Sequence, residues 1–408
     1  MGVAEAVDEA FRTEWGRVVA TLIRVTGDWD LAEECAQEAF AKALATWPRD
    51  GVPRRPGAWL TTTARNRALD KLRRGAAEAG RLRDLAVTTP AGEPAPEPDD
   101  VPDDRLRLMF TCCHPALPLE AQVALTLRTL AGLSTPEIAR AFLVPEPTMA
   151  QRIVRAKRKI RNARIPYRVP PAELLPERTS GVLGVLYLLF NEGYSASAGA
   201  DLVRQALTAE AIRLTRVVVG LLPDAPEAGG LLALMLFHDA RRATRTDDAG
   251  DLVTLADQDR TRWDRASIDE GVSVLDSALA LGRPGPYQLQ AAIAACHATA
   301  SRAEETDWAR IARLYELVAR LNPSPVVELN RAVAVAMTGG PSAGLALADA
   351  LAESGDLAGY HLLPATRADF LRRLERADEA VAAYREALEL APTDAERRYL
   401  SRRIGELQ

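Results

Sequence analysis

Between Arg54 and Arg74 the chain carries seven basic residues, Arg54, Arg55, Arg65, Arg67, Lys71, Arg73 and Arg74, against the single acid Asp70. A helix is expected over 58–74, with Trp59 near its start, and its net charge of +6 with Arg54 and Arg55 suits a phosphate backbone. The bland alternative is a solvated helix face with Trp59 in the core. Solvated faces normally mix signs, whereas here the signs are segregated. For Trp59 this element alone leaves core and nucleic-acid roles open.

A second constellation spans Ser134 to Arg164. Ser134-Thr-Pro-Glu137 has the pattern of a capping box with proline in the first turn, so a helix starts there and stops at Val144-Pro145. Another opens at Glu146-Pro147-Thr148. At about 100° per residue, Met149, Ile153, Ala156 and Ile160 form its apolar stripe. Thr148, Gln151, Arg155 and Arg158 lie opposite, flanked by Arg152 and Lys159, which leaves a face of groove-reading and phosphate-binding side chains. Two short helices so disposed form a helix-turn-helix. From Arg105 to Val169 twelve basic residues face three acids, a net of +9 that a mere packing pair does not need.

Elements must position these faces, and the charge pattern divides the chain accordingly. Asp84 to Asp104 holds seven acids, no basic residue and the run Pro90-Ala-Gly-Glu-Pro-Ala-Pro-Glu-Pro-Asp-Asp100, too polar to fold and expected to be an extended linker. Whether it is an inert tether or mimics nucleic acid in a basic channel stays open. Residues 170 to 408 sum to −9 within an overall charge of −5, so this half is not expected to touch DNA. Beyond Ile165-Pro-Tyr-Arg-Val-Pro-Pro171, Ala/Leu-rich helical patterns alternate with Gly/Pro breaks.

Three further motif positions carry a family resemblance. Asp30-Leu-Ala-Glu-Glu-Cys-Ala-Gln-Glu-Ala-Phe40, then Trp59-Leu60, Ala64-Arg65-Asn66, Asp70 and Arg73-Arg74, then Leu133-Ser134 to Arg158, occur in the order and spacing of a bacterial sigma factor of the extracytoplasmic-function type. The chain resembles that family over about residues 8–165. The resemblance implies that Glu33, Glu34, Gln37 and Glu38 dock on core RNA polymerase, with the β′ clamp and β flap as the surfaces engaged. It further implies that Trp59 and Asn66 act on unpaired bases of the −10 element while Arg65, Arg67, Lys71, Arg73 and Arg74 hold phosphates. The loop Asp50 to Pro56 would hold a flipped base. Thr148, Gln151, Arg152, Arg155, Arg158 and Lys159 would read the −35 element. Pro147 stands where the family commonly has glycine, and Thr61-Thr62-Thr63 replaces larger residues, which puts base preference in doubt.

The expected fold is all-α: sigma region 2 over 1–75, a flexible acidic linker over 76–104, sigma region 4 over 105–168, and a helical regulatory domain over 169–408. In that last part Ala368, Ala380, Tyr384, Ala387 and Pro392 sit at the small, small, aromatic, small and proline positions of a tetratricopeptide repeat. Tyr315 with Pro323, and more weakly Ala211 with Pro223, end similar units. The tail therefore resembles a degenerate helical-repeat solenoid, of a kind that binds a protein or a ligand. Asn191, Glu192 and Tyr194, with Ser195 closing an apolar helix, are a candidate tail regulatory site. Asp257-Gln258-Asp259-Arg260 with Trp263-Asp264 forms another polar cluster. The competing reading is that Asn191 and Gly193 simply terminate a helix.

Other classes are disfavoured. Cys112-Cys113-His114 lacks zinc-ligand spacing and no second ligand pair follows, so no metal and no cofactor is expected. His238, His297 and His361 are scattered, and no G-x-x-x-x-G-K loop is present, so neither an enzyme nor nucleotide-driven melting is expected. No apolar run approaches a membrane span and no signal-peptide pattern is seen, which predicts a soluble, cytoplasmic protein with no membrane partner. A one-component transcription activator, with a helical-repeat sensor controlling a helix-turn-helix, is the remaining alternative. The Trp59–Arg74 helix and the Asp30–Phe40 motif argue against it.

Overall fold

A computed structural model of the chain describes residues 3–83, 104–142, 144–195, 202–247 and 250–408. Most of the acidic linker expected over 76–104 lies outside those residues; 76–83 instead prolong the preceding helix. The described residues are all-α, with one isolated antiparallel bridge between Thr246 and Leu252. The chain divides into two compact units, Met1–Leu189 and Phe190–Gln408.

The first unit opens with α1 (Val3–Thr26), α2 (Trp29–Asp50) and α3 (Pro56–Arg83). Asp28 caps α2 by accepting from the backbone N–H groups of Asp30 and Leu31 at 2.9 and 3.1 Å, and Gly51 at φ 82° stops it. Small residues at three- and four-residue spacing let the backbones approach: Ala32, Ala36, Ala39 and Ala43 on α2 and Ala64 and Ala68 on α3 are buried. Trp15, Leu22, Trp47 and Leu60 fill the space between, each worth roughly 1.5–3 kcal/mol of burial for a side chain of leucine size and more for tryptophan.

The second half of this unit comprises α4 (Asp104–Cys112), α5 (Leu119–Thr129), α6 (Thr135–Ala141) and α7 (Glu146–Asn162). The capping box read from the sequence forms: Ser134 and Glu137 exchange side-chain and backbone hydrogen bonds at the start of α6. Met149, Ile153, Ala156 and Ile160 of α7 are buried, as their periodicity predicts.

These two bundles lie against each other. Gly16 of α1 sits so close to the end of α5 that a Cβ there would meet the Leu130 carbonyl oxygen at 2.7 Å. Gly132, at φ +76°, tucks the following turn against the rings of Phe11 and Trp15, where a Cβ would come within 2.9 Å of both. Only glycine adopts that backbone at that distance without strain. Arg24 pairs with Asp104 at 2.9 Å, and the Tyr167 hydroxyl donates to the Ala20 carbonyl at 2.8 Å.

The Pro-rich connector and the start of α8 (Leu175–Ser195) also belong to the first unit, because Tyr167 is anchored there and Arg178 donates to the Phe110 carbonyl at 2.6 Å. The division between the compact units falls within α8, at 189/190.

The second unit contains α9 (Leu202–Leu221), α10 (Pro226–Ala240), α11 (Arg265–Ala280), α12 (Pro286–Ala298), α13 (Trp308–Leu321), α14 (Pro325–Gly339), α15 (Pro341–Ser354), α16 (Leu362–Arg373), α17 (Ala377–Leu390) and α18 (Asp394–Gly405). Helix α10 is its centre, with Ala228 through Phe237 all buried. From α12 onward each helix packs on the next in sequence, the pattern of an array in which every element buries its face on a neighbour. Ala368, Ala380, Tyr384 and Ala387 are buried together where α16 meets α17, and Pro392 follows the end of α17. No helix among the described residues is long and apolar enough to cross a membrane.

Candidate nucleic-acid interface

Helix α3 turns Leu60, Ala64 and Ala68 inward, which directs Arg65, Asn66, Arg67, Arg73 and Arg74 to solvent. Two of its cations are engaged by carboxylates of α2, and Arg73 lies 3.8 Å from Asp70 of its own helix. Arg67 pairs with Glu38, and Lys71 lies 2.8 Å from both Glu34 and Glu38 of α2. Hydrogen bonds from Arg67 and Lys71 hold the Glu38 carboxyl below its ordinary range, and its partnership with Glu38 raises the Arg67 guanidinium in turn. The pairs are partly exposed, so a phosphate could compete with the carboxylates. Trp59 is half-buried, its ring edge-on to the buried Trp47 at 5.5 Å. It thus has a packing contact as well as an accessible portion.

On α7, Thr148, Gln151, Arg155, Arg158 and Lys159 are exposed and Arg152 is half-buried. Arg155 lies 3.4 Å from the Gln151 side-chain oxygen, a contact within the same face. An open groove of about 720 Å³ runs between this face and the start of α5, so these donors face solvent.

The four α2 positions do not share one environment. Glu34 and Gln37 are exposed and Glu38 is half-buried, but Glu33 is buried at 6 % exposure. Its carboxylate accepts from Lys157 of α7 at 2.7 Å and from Arg128 of α5 at 3.0 Å. Lys157 also reaches Asp30 at 2.9 Å, and Arg128 donates to the Leu133 carbonyl at 3.1 Å. A carboxylate buried this deeply needs such partners, since an unpaired one is costly. One of the four residues expected to dock on a polymerase, Glu33, is therefore sequestered in this conformation by Arg128 of α5 and by Lys157 of the helix expected to read DNA.

Sequence reasoning did not anticipate Lys157 or Arg128. A signal existed for Lys157: four residues after Ile153 it falls only about 40° from the buried stripe, far from Arg155.

The remaining singled-out residues have ordinary surroundings. Cys112 and Cys113 are buried, their thiols 3.3 and 3.7 Å from the hydroxyls of Thr129 and Thr126; burial raises both, that of Cys113 to about 12. Among the described residues no group of three His, Cys, Asp or Glu side chains is placed to hold a metal ion. Asn191 and Glu192 are half-buried. Tyr194 stacks on Phe190 at 5.4 Å, with the Arg245 guanidinium 3.8 Å from its ring centre.

Comparison with known proteins matches residues 11–78 to Sigma-70 region 2, residues 107–160 to Sigma-70, region 4, and residues 178–279 to a family of unknown function, DUF6596. Over 406 residues, 98% of this chain and 96% of the other, the sequence is 44% identical to an uncharacterized protein of Rhizobium meliloti (strain 1021). A probable ECF RNA polymerase sigma factor SigI of Mycobacterium tuberculosis is 28% identical over 177 residues, covering 42% of this chain and 60% of its own length. The ECF RNA polymerase sigma factor SigE of Mycolicibacterium smegmatis is 31% identical over 163 residues, 38% of this chain and 60% of its own. The chain thus spans about 60% of these two sigma factors.

Proposed function

We propose, from the premise that this chain belongs with the sigma-70-type transcription initiation factors, that it recruits core RNA polymerase through α2, engages the −10 element with α3 and reads the −35 element with α7. The observation that carries this reading is the pair of solvent-facing basic surfaces on one chain, Arg65, Asn66, Arg73 and Arg74 on α3 and Gln151, Arg155, Arg158 and Lys159 on α7. Phosphate contacts on both would position the duplex, Gln151 and Arg155 would reach base edges, and Trp59 with Asn66 would capture bases as the strands part. Melting draws its energy from binding alone.

The ion pairs around Glu33 support a closed free state. Docking on polymerase through Glu33 requires Lys157 and Arg128 to let go, so core binding and opening are coupled. The C-terminal helical domain, resembling tetratricopeptide repeats, is proposed as a regulator, its −9 over residues 170–408 complementing the +9 of 105–169.

Run-off transcription with purified core polymerase on a promoter library tests the reading. Promoter-dependent initiation that requires the chain is expected, whereas duplex binding without initiation would establish a one-component activator instead. A truncation ending at Ser195, which keeps α8 whole, should lose or gain promoter-specific transcription. Unchanged transcription across salt concentrations would exclude an intramolecular regulatory role for the tail.

A further inference from the structure

Within the second unit a cavity of about 320 Å³ lies between the 241–258 segment and helices α16 and α18. Its walls are partly apolar, with Leu252, Leu362 and Ala365, and partly polar, with Arg241, Arg245 and Gln258. That volume is at the small end of the roughly 300–1,000 Å³ typical of ligand pockets.

The charge balance is one-sided. Arg245 donates to the Tyr194 carbonyl at 2.6 Å and lies over the Tyr194 ring at 3.8 Å, contacts that fix its guanidinium plane without neutralising it. Arg241 meets the Nδ1 of the half-buried His238 at 3.5 Å. Among the described residues no carboxylate lies within ion-pair distance of either arginine. Of the described acids nearby, Asp239 pairs with Arg242, Asp251 with Arg398, and Asp257 accepts from the Thr254 hydroxyl. Glu396, on the cavity's far wall, accepts from the backbone N–H and hydroxyl of Thr393 at 3.1 and 2.8 Å and faces His361 at 3.4 Å. Burial lowers the Arg245 guanidinium, and no carboxylate opposes the effect.

An arginine pair on a partly apolar cavity, with no carboxylate among the described residues within ion-pair distance, lacks the kind of partner that Glu33 gives the buried Lys157. We propose that this cavity binds a small organic anion, its carboxylate or phosphate oxygens held by Arg241 and Arg245 and its apolar body lying along Leu252, Leu362 and Ala365. The planar forks of two arginines supply paired donors suited to either oxyanion. The inference stands on the second unit alone and is independent of the promoter reading.

The test is isothermal titration of the full chain, at constant ionic strength, with two homologous series: alkyl carboxylates from acetate to octanoate and the alkyl monophosphates of the same lengths. Straight-chain alcohols are the neutral reference. Anions are expected to bind at least about ten-fold tighter than the alcohol of equal length, with affinity rising severalfold per methylene until the cavity is full. The better series identifies the head group, and either supports the site. Arg241→Gln and Arg245→Gln should each weaken binding about ten-fold or more, and Ala365→Trp, which fills the cavity while keeping both arginines, should abolish it. Alcohols binding as well as anions, no saturation by any anion below about 10 mM, or full binding by Ala365→Trp would overturn the proposal. Should Arg245→Gln fail to fold, Arg241→Gln and Ala365→Trp decide the matter.

Discussion

Replacing Lys157 with Met should increase affinity for core polymerase, although Lys157 lies on the DNA-reading helix. In the closed conformation Lys157 supplies one of two cations to the buried Glu33, at 2.7 Å, with Arg128 supplying the other at 3.0 Å. Removing a partner from a buried pair costs about 3–5 kcal/mol when the remaining charge is left alone. Here Arg128 persists, and the exposed Asp30 contributes only tenths of a kcal/mol, so about 2 kcal/mol is a reasonable figure. That loss falls on the closed state, since Glu33 regains water when the bundles separate. It corresponds to a roughly 30-fold shift toward the open state, which sets the upper bound on the gain in core affinity. Fluorescence anisotropy of labelled protein titrated with core, without DNA, reads it directly. Glu33→Gln loosens the same contact but also removes the proposed docking acid, so it should gain less than Lys157→Met or lose affinity outright. Equal gains from both substitutions would refute a docking role for Glu33, and no gain from either would refute the coupling of opening to binding.

Arg155→Ala should weaken binding to a −35 duplex by about 1–3 kcal/mol with unchanged thermal stability, because this exposed side chain makes no buried contact; an unaltered dissociation constant would remove that face from DNA recognition. Asn66→Ala should slow open-complex formation on duplex promoters more than on templates with a pre-melted bubble, read by permanganate footprinting, and since Asn66 is exposed a defect cannot be ascribed to packing. Trp59→Ala should show the same template dependence together with a melting-temperature loss from the Trp47 contact, and equal defects on both templates would leave Trp59 only that packing role. Burial, with nearby arginines adding to it, pushes His238 down to about 3 and His297 to about 4. Their folded values lie below the unfolded one near 6.5, so the unfolded chain takes up the proton first and stability is lost as pH falls. From pH 6.5 to 5 each should cost about 2 kcal/mol; His238→Gln should flatten the pH dependence of urea unfolding in that window, and an unchanged slope would show that the histidine is not buried neutral.

The sequence by itself determined the helices that carry the proposed functional faces. The Ser134–Glu137 capping box and the Met149–Ile160 stripe are local, depending on the 3.6-residue period and backbone satisfaction, and the structure reproduces them. The segregation of charge marked which helix faces remain outside. What sequence could not determine was which charges meet. Lys157 and Glu33 are 124 positions apart, and nothing in either neighbourhood distinguishes Lys157 from the exposed Lys159 except that it falls about 40° from the edge of the buried stripe. The packing of α1 against α4 and α5, with Gly16 and Gly132 at the close approaches, goes with Lys157 of α7 reaching Glu33 of α2, so that one of a run of surface cations joins a buried ion pair. The unit boundary within α8 has the same origin, in the long-range anchors Tyr167 and Arg178 rather than in the proline-rich connector. Arg241 and Arg245 likewise read as ordinary surface charge. The Tyr194 carbonyl that Arg245 meets is 51 positions away and the opposite cavity walls come from α16 and α18, so tertiary structure decided that no carboxylate among the described residues pairs with these two cations.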